Sequence, residues 1–252
     1  MKVFNKLYAE SYDLLYNDKN YSKEVDYIIG LIKEINPQAN TMLDFGCGTG
    51  KHAHIFAQNG FEVLGVDLSD EMINVACCNN ISNNKLNFSL GDIRSFRTTK
   101  KFDVVVALFH VFSYLPTNID VLNALETMKN HLNNNGLIIV DFWYGPAVLS
   151  IKPESKIKKL SNNTISITRI STPNIQTINN IVNVHFDMIV KNKQSNELFE
   201  TQEDHPMRYF FIPELKQFFE RTELCLLNCF EFLTKTTPTE NSWNAIAILK
   251  KV

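Results

Sequence analysis

Apolar residues recur along this chain in two rhythms, and the change from one to the other divides it. Between residues 41 and 141, short apolar runs alternate with stretches in which apolar positions return every three or four residues. Thr41–Phe45, Phe61–Asp67, Leu86–Leu90, Phe102–Leu108 and Leu137–Asp141 read as five strands. The fourth is apolar almost throughout, as a central strand covered on both faces should be. A helix fits Lys51–Ala57. A second, after the N-cap candidate Ser69, carries Met72, Ile73 and Ala76. A third, opened by Pro116-Thr117, carries Val121, Leu122, Leu125, Met128 and Leu132, with Gly136 ending the connection. Strands alternating with helices so regularly predict a parallel, doubly wound sheet.

Ahead of this region the spacing predicts two helices. One holds Tyr8, Tyr12 and Tyr16 on a single face. The other holds Val25, Ile28, Ile29 and Ile32 and ends near Asn36-Pro37. After Phe142 the rhythm becomes alternation of apolar and polar residues. Residues 142–163, with Gly145-Pro146 and Pro153, read as a loop with room for a short helix. Thr164–Ile170, Ile181–Val190 and Glu197–Gln202 with Met207–Phe211 read as antiparallel strands exposed on one face. Pro213 opens a helix with Leu215, Phe218 and Phe219, and Leu224–Leu233 and Ala245–Leu249 supply the last strands. The expected fold is α/β: a doubly wound, mostly parallel seven-stranded sheet with an antiparallel β insertion after the fifth strand.

Composition narrows the function classes. The 252 residues are 44% hydrophobic and 21% charged, with a formal net charge of −2, an ordinary balance for a chain with a large core. No basic run suggests a nucleic-acid surface, and no apolar stretch approaches the roughly 18–20 residues of a membrane span. The first residues, with Lys2, Lys6 and Glu10, lack the apolar core of a signal peptide, so a cytoplasmic protein is expected. Five cysteines, Cys47, Cys77, Cys78, Cys225 and Cys229, show no metal-ligand spacing and are expected to be small core residues in a reducing compartment. No metal site is expected. Asn133-Asn134-Asn135 reads as loop composition.

Candidate chemistry concentrates in Leu43-Asp44-Phe45-Gly46-Cys47-Gly48-Thr49-Gly50. Strand, glycine-rich turn and helix bring a backbone close to a ligand and aim helix N–H groups at it. Asp67 ends the second strand 21 residues after Gly46, about where a doubly wound fold places an acid on ribose hydroxyls. A purely structural turn is the alternative.

Four features in order then carry a resemblance: the glycine turn, Asp67-Leu-Ser-x-x-Met72, Gly91-Asp92-Ile93, and Phe102-Asp103 opening the fourth strand. Over roughly residues 40–141 the chain resembles class I S-adenosylmethionine-dependent methyltransferases. NAD dehydrogenases share the first glycines but not the Gly-Asp-Ile. The resemblance implies S-adenosylmethionine as cofactor, with the backbone of Gly46, Cys47 and Gly48 beside its methionine part. It implies Asp67 on the ribose, Leu68 and Met72 against adenine, Asp92 on the adenine amino group and Ile93 over the ring. Asp44, Gly50 and Leu108 complete the candidate cofactor set, and Tyr12 and Tyr16 close over it.

A narrower resemblance rests on Tyr8-Ala-Glu-x-Tyr12-Asp13-x-x-Tyr16, Phe109–Leu115, Asp141-Phe-Trp143 and the late insertion. These are similar to small-molecule methyltransferases that N-methylate nucleotide-linked amino sugars. The similarity implies an N-terminal tyrosine lid and a substrate cleft floored by the inserted strands. In some members a histidine stands where this chain has Tyr114. The implied organisation is a single domain over 1–252: a helical lid over 1–38, a cofactor-binding core over 39–141, a substrate-side insertion over about 150–211, and a final helix with two strands over 212–252.

A sulfonium is already a good methyl donor, so such a protein mainly positions an acceptor; proximity and orientation supply about 7–11 kcal/mol. An amine must arrive neutral, and a sugar hydroxyl needs stronger base help. Ligands gather at the C-terminal ends of the strands, which makes His110, Tyr114 and the lid's Tyr16 the catalytic candidates. Phe109, Trp143, Tyr144, His205 and Arg208 are the substrate-binding candidates; an ion pair of Arg208 with Glu203 or Asp204, and core packing of Trp143, are the plainer alternatives. The expected activity, in sugar biosynthesis, is N-methylation of a nucleotide-linked amino sugar. O-methylation of a small metabolite is the alternative, followed by an inactive cofactor-binding protein. Ala107-Leu108-Phe109-His110 stands where nucleic-acid and protein methyltransferases carry an Asn/Asp-Pro-Pro-Tyr/Phe run. A small-molecule partner, no nucleic acid, no membrane and a monomer or homodimer are expected.

Overall fold

The structure is a computed structural model and describes residues 6–80 and 84–252; the first five residues of the expected lid lie outside them. Five parallel strands, β1 (Thr41–Phe45), β2 (Glu62–Asp67), β3 (Leu86–Leu90), β4 (Phe102–Ala107) and β5 (Leu132–Tyr144), lie in the order β3-β2-β1-β4-β5. β11 (Asn244–Lys251) then pairs antiparallel with β5, and β10 (Leu224–Glu231) antiparallel with β11. This is the expected seven-stranded sheet. Alternation along β4 explains its apolar run: Val104 and Val106 enter the core under α2 (Tyr21–Ile35) and α3 (Lys51–Gln58). Val105 and Ala107 enter the opposite core, under α5 (Asn118–Asn130) and α7 (Ile212–Arg221). No described helix is long and apolar enough to cross a membrane.

Several boundaries differ from the sequence pattern: the strand expected over Thr164–Ile170 runs on to Gln176, and Leu132, expected on a helix, opens β5. The asparagine run is the bulged opening of β5 and not a loop. Asn135 takes a left-handed φ of 65°, which asparagine tolerates, and the Asn133 side chain donates to Asp103 at 2.8 Å. β6 (Lys156–Ser161) is a strand where a loop was expected. Three lysines interrupt its apolar alternation, and Ile157 is exposed, as befits a charged edge strand.

β6, β7 (Ile165–Gln176), β8 (Ile181–Asn192) and β9 (Leu198–Phe210) form an antiparallel meander. The end of β9 pairs in parallel with the end of β5, Trp143 with Tyr209 and Tyr144 with Phe210, on the edge that β4 vacates after pairing Ala107 with Val140. The insertion is thereby hydrogen-bonded into the sheet at the C-terminal ends of its strands. A short helix, α6 (Gly145–Ile151), leads into it. α1 (Lys6–Leu15) packs between this meander and α4 (Asp70–Asn79) through Tyr8, Leu15, Met72, Ile167 and Met188. Cys47 is buried and Cys229 half-buried, but Cys77, Cys78 and Cys225 are exposed, and all five are free thiols. Cys77 and Cys78 lie off the face of α4 that buries Met72 and Ala76, and Cys225 lies on the edge strand β10; their positions correct the expectation of core cysteines.

Candidate active site

The turn after β1 is held by backbone: Gly46 and Cys47 N–H both donate to the carbonyl of Val66, at 2.7 and 3.1 Å. Gly46 has a φ of +69°, and a Cβ there would lie 2.2 Å from Val111, so the loop after β4 can close on the turn only over glycine. Gly48, φ +55°, faces open space where a side chain would otherwise project. Gly50 sits behind, as N-cap of α3 and against Phe88, off the cavity wall.

Asp67, at the end of β2, accepts Gly48 N–H at 2.8 Å and Ser69 N–H at 2.9 Å. Burial pushes its pKa up and these amides offset part of the rise. Two lone-pair sites remain for further donors. Beside it Leu68 is 65% exposed, a large apolar side chain at a cavity wall, with Met72 buried below. Asp92 and Ile93 line the same end, but the Asp92 carboxylate is already gripped by Arg94 through Nε at 2.9 and 3.0 Å, and Arg94 also reaches Asp120 at 2.9 Å. Burial alone would raise Asp92; the guanidinium overcomes it and holds the carboxyl below its usual range. Asp44 lies beneath the turn, 2% exposed and away from the cavity wall; burial, then the charge of Asp67, push its pKa up to about 8. Cys47 is buried beside a small side pocket shared with Tyr12 and Leu108.

From this end a cavity of about 910 Å³ runs past Leu108, Phe109, His110 and Tyr114 to the inserted strands, within the size range of small-molecule sites. Phe109 and His110 both adopt left-handed φ, 63° and 66°, a conformation costing roughly 1–3 kcal/mol per residue. Asp141, fully buried on β5, holds this turn. It accepts His110 N–H at 3.0 Å, and its second oxygen lies 3.0 Å from His110 Nδ1 at an angle too poor for a hydrogen bond. Asp141 was legible only as part of a motif and carried no assigned role.

Tyr114, closing the 3-10 turn Val111–Tyr114, places its hydroxyl 2.6 Å from His205 Nδ1, and His205 Nε2 lies 3.0 Å from Glu203. His205 and Glu203 are buried, and the rings of Tyr8 and Phe186 flank the imidazole. Burial, more than any neighbour, raises the Tyr114 pKa well above that of a free phenol, so its hydroxyl is neutral. With the imidazole hydrogen on Nε2, His205 accepts from Tyr114 at Nδ1 and donates to Glu203.

Tyrosines of α1 and of the turn after it gather at the cavity. Tyr12 and Tyr16 line it, Tyr16 meets the edge of Phe109 at 5.1 Å, and the Tyr8 and Tyr16 hydroxyls lie 3.4 Å apart. Arg169 of β7, which no sequence pattern singled out, donates to both hydroxyls, at 3.3 and 3.1 Å. Asp13 ties the lid to the glycine turn through Thr49 at 2.7 Å and Lys51 at 3.0 Å.

Two substrate candidates fall elsewhere. Trp143 lines the cavity and meets Trp243 at 5.4 Å, whereas Tyr144, one step along β5, faces away toward the opposite core. Arg208 lies an odd step from His205 and faces away likewise. It pairs with Glu214, donates to Asn118 at 2.8 Å and packs on the rings of Phe210 and Phe218. The ion pair is thus intra-protein but not with Glu203 or Asp204; Asp204 instead pairs with His185 at 2.9 Å. Among the described residues no cluster of His, Cys, Asp and Glu could hold a metal ion.

Comparisons with known proteins add to this geometry. Residues 42–136 match the family model described as a methyltransferase domain. A curated relative, the dTDP-3-amino-3,4,6-trideoxy-alpha-D-glucopyranose N,N-dimethyltransferase of Streptomyces venezuelae, is 33% identical over 141 residues, covering 55% of this chain and 58% of the relative. The chain spans little more than half the length of the first curated relatives it matches. Among solved structures, an S-adenosylmethionine-dependent methyltransferase from Clostridium acetobutylicum ATCC 824 superposes with a TM-score of 0.82 at 18% identity over 99% of both chains. A sugar N-methyltransferase from Streptoalloteichus sp ATCC 53650 superposes at 0.80 and 17% identity, over 98% of this chain and 96% of that one. The fold is that of the S-adenosylmethionine-dependent methyltransferases.

Proposed function

We propose that this chain is an S-adenosylmethionine-dependent methyltransferase that methylates an amine on a small polar metabolite, with a nucleotide-linked amino sugar as the leading class. One observation carries the proposal: the glycine turn with Asp67 and the Tyr114–His205–Glu203 chain open onto the same cavity. The curated relative named for a dTDP-linked amino sugar supports the acceptor class.

The residues at the first end suit the cofactor. Gly48 leaves the space that a side chain would fill, Asp67 keeps acceptor sites for a pair of hydroxyls, and Leu68 offers an uncovered apolar face to a flat ring. When bound, S-adenosylmethionine supplies an electrophilic methyl group on a sulfonium. Everything else falls to the protein. Gly46 and Gly48 bring backbone close, Ile93 and Met72 pack, and Tyr16 with Phe109 walls the cavity from solvent.

An amine reaches this cavity largely as an ammonium and must lose a proton before it can react. Tyr114, neutral and hydrogen-bonded to His205, can take that proton on its oxygen while passing its own hydrogen to His205 Nδ1. Glu203, 3.0 Å from Nε2, stabilises the imidazolium that results. In this arrangement the base is His205, reached through Tyr114, and His110 orients the acceptor from the turn held by Asp141.

The test is calorimetric titration of S-adenosylhomocysteine, followed by thermal shifts with nucleotide-linked sugars that carry or lack an amino group. A ligand of the folded state raises the melting point by mass action, and only the aminated sugars should add to the cofactor's shift. No binding of S-adenosylhomocysteine would overturn the activity. Cofactor binding without a sugar response would leave the methyltransferase and remove this acceptor class.

A further inference from the structure

Arg169 presents a charge that the protein does not balance. Its Nε is buried without a hydrogen-bond partner, its Nη1 meets only the Tyr8 and Tyr16 hydroxyls, and the guanidinium lies over the rings of Phe186, at 4.6 Å, and Tyr16, at 5.5 Å. Among the described residues no carboxylate lies within ion-pairing distance of it. A guanidinium taken out of water costs several kcal/mol unless an anion or a full set of acceptors compensates, and two neutral phenols do not make that set.

The neighbourhood sharpens the imbalance. In the pairing of β6 with β7, Lys158 stands directly opposite Arg169 and Lys156 opposite Ser171, so three cations lie at alternating positions on one face. Like charges directly opposite across a ladder are destabilising. Lys158 is drawn off to Asp18 and the carbonyl of Leu15, at 3.1 and 2.6 Å. Arg169 and Lys156 remain on the cavity wall, with Glu154 as an acidic residue on that side. This excess of positive charge stands in a chain whose net charge is −2.

We infer that Arg169 is the docking point for an oxyanion of the acceptor, a phosphate or a carboxylate, with Lys156 attracting it at the rim. The inference rests on the methyltransferase reading, since it concerns the acceptor half of the same cavity. The fork of guanidinium donors matches either oxyanion in a bidentate contact. Because the same guanidinium holds Tyr8 and Tyr16, an anion bound there also stiffens the lid over the cavity.

The experiment titrates the protein, with S-adenosylhomocysteine present, against uridine diphosphate and uridine in one arm and glycine and glycinamide in the other. In the wild type, one oxyanion-bearing member should bind at least about tenfold more tightly than its partner that lacks the oxyanion, the effect of a single charge-assisted contact. Arg169→Met should abolish that preference, and Arg169→Lys should retain part of it, while S-adenosylhomocysteine affinity stays within about twofold. The arm that responds identifies the oxyanion as phosphate or carboxylate. Equal affinities for the members with and without the oxyanion in both arms would overturn the inference on the wild type alone, whether or not the variants fold. A preference that survives Arg169→Met would overturn it as well. Failure of S-adenosylhomocysteine to bind the wild type would count instead against the methyltransferase reading.

Discussion

The hydroxyl of Tyr114 lies 2.6 Å from Nδ1 of His205, a residue 91 positions away on the inserted strand β9. The contact joins the turn that follows the fourth parallel strand to the insertion that floors the cavity. At this position a tyrosine stands with a histidine directly behind it.

Tyr114→Phe should therefore lower turnover of an amine acceptor by about a hundredfold, within the range of general-base contributions, with S-adenosylhomocysteine affinity unchanged. His205→Ala should lower it similarly, and the double variant little further. The deficit should shrink as pH rises, because the amine then arrives already deprotonated. Rate profiles between pH 6 and about pH 10 would show this; a deficit constant across them would mean that Tyr114 and His205 only shape the cavity.

Asp67 receives the backbone N–H of Gly48 in the glycine turn and that of Ser69 at the start of α4, and keeps acceptor sites toward the cavity. Asp67→Ala should weaken S-adenosylhomocysteine binding at least about tenfold, as expected for lost hydrogen bonds to a charged group. Calorimetry measures this directly, and an unchanged dissociation constant would move the cofactor site elsewhere.

Gly46 and Val111 are in mutual steric contact. In Gly46→Ala the new Cβ would stand 2.2 Å from Val111 Cγ2, at a φ of +69°. Strain and overpacking should destabilise the fold by about 1–3 kcal/mol and weaken the cofactor site. Adding Val111→Ala should recover the steric part but not the conformational part, so the pair should be non-additive in urea melts. Strict additivity would show that the loop yields freely.

Asp44 links stability to pH. Its carboxyl titrates near about 3.9 in an unfolded chain and is pushed up to about 8 in the fold, first by burial and then by Asp67. Between those values the unfolded chain gives up a proton that the folded protein keeps. The contribution of this group is therefore complete below about pH 4 and lost progressively toward about pH 8. Asp44→Asn removes the titration, so the variant should gain stability relative to wild type between pH 5 and about pH 8 in denaturant melts. A difference independent of pH would mean that Asp44 ionises alike in both states.

Much of the architecture was legible in the sequence because it follows from local chemistry. The apolar run of β4, broken only at Asp103, fits a strand buried on both faces, and the glycines of the turn after β1 report backbone angles. The strand β6 was missed because lysines on an exposed edge strand erase the alternation that marks a strand. The true neighbours of Arg208 were missed for a different reason. Successive strand residues face opposite sides, and Arg208, three positions from His205, points away from the cavity toward Glu214 and Asn118.

By itself, then, the sequence determined the period of each segment, the glycine turn and the acid at the end of β2, all set by interactions among residues near one another in the chain. Only the tertiary structure decided that Tyr114 meets His205, that Asp141 holds the His110 turn, and that Arg169 faces Tyr16 with no carboxylate partner among the described residues. Those pairings depend on strand register and on how the insertion is hydrogen-bonded to the end of β5. A single-residue slip of β9 would turn His205 to the other face and away from Tyr114.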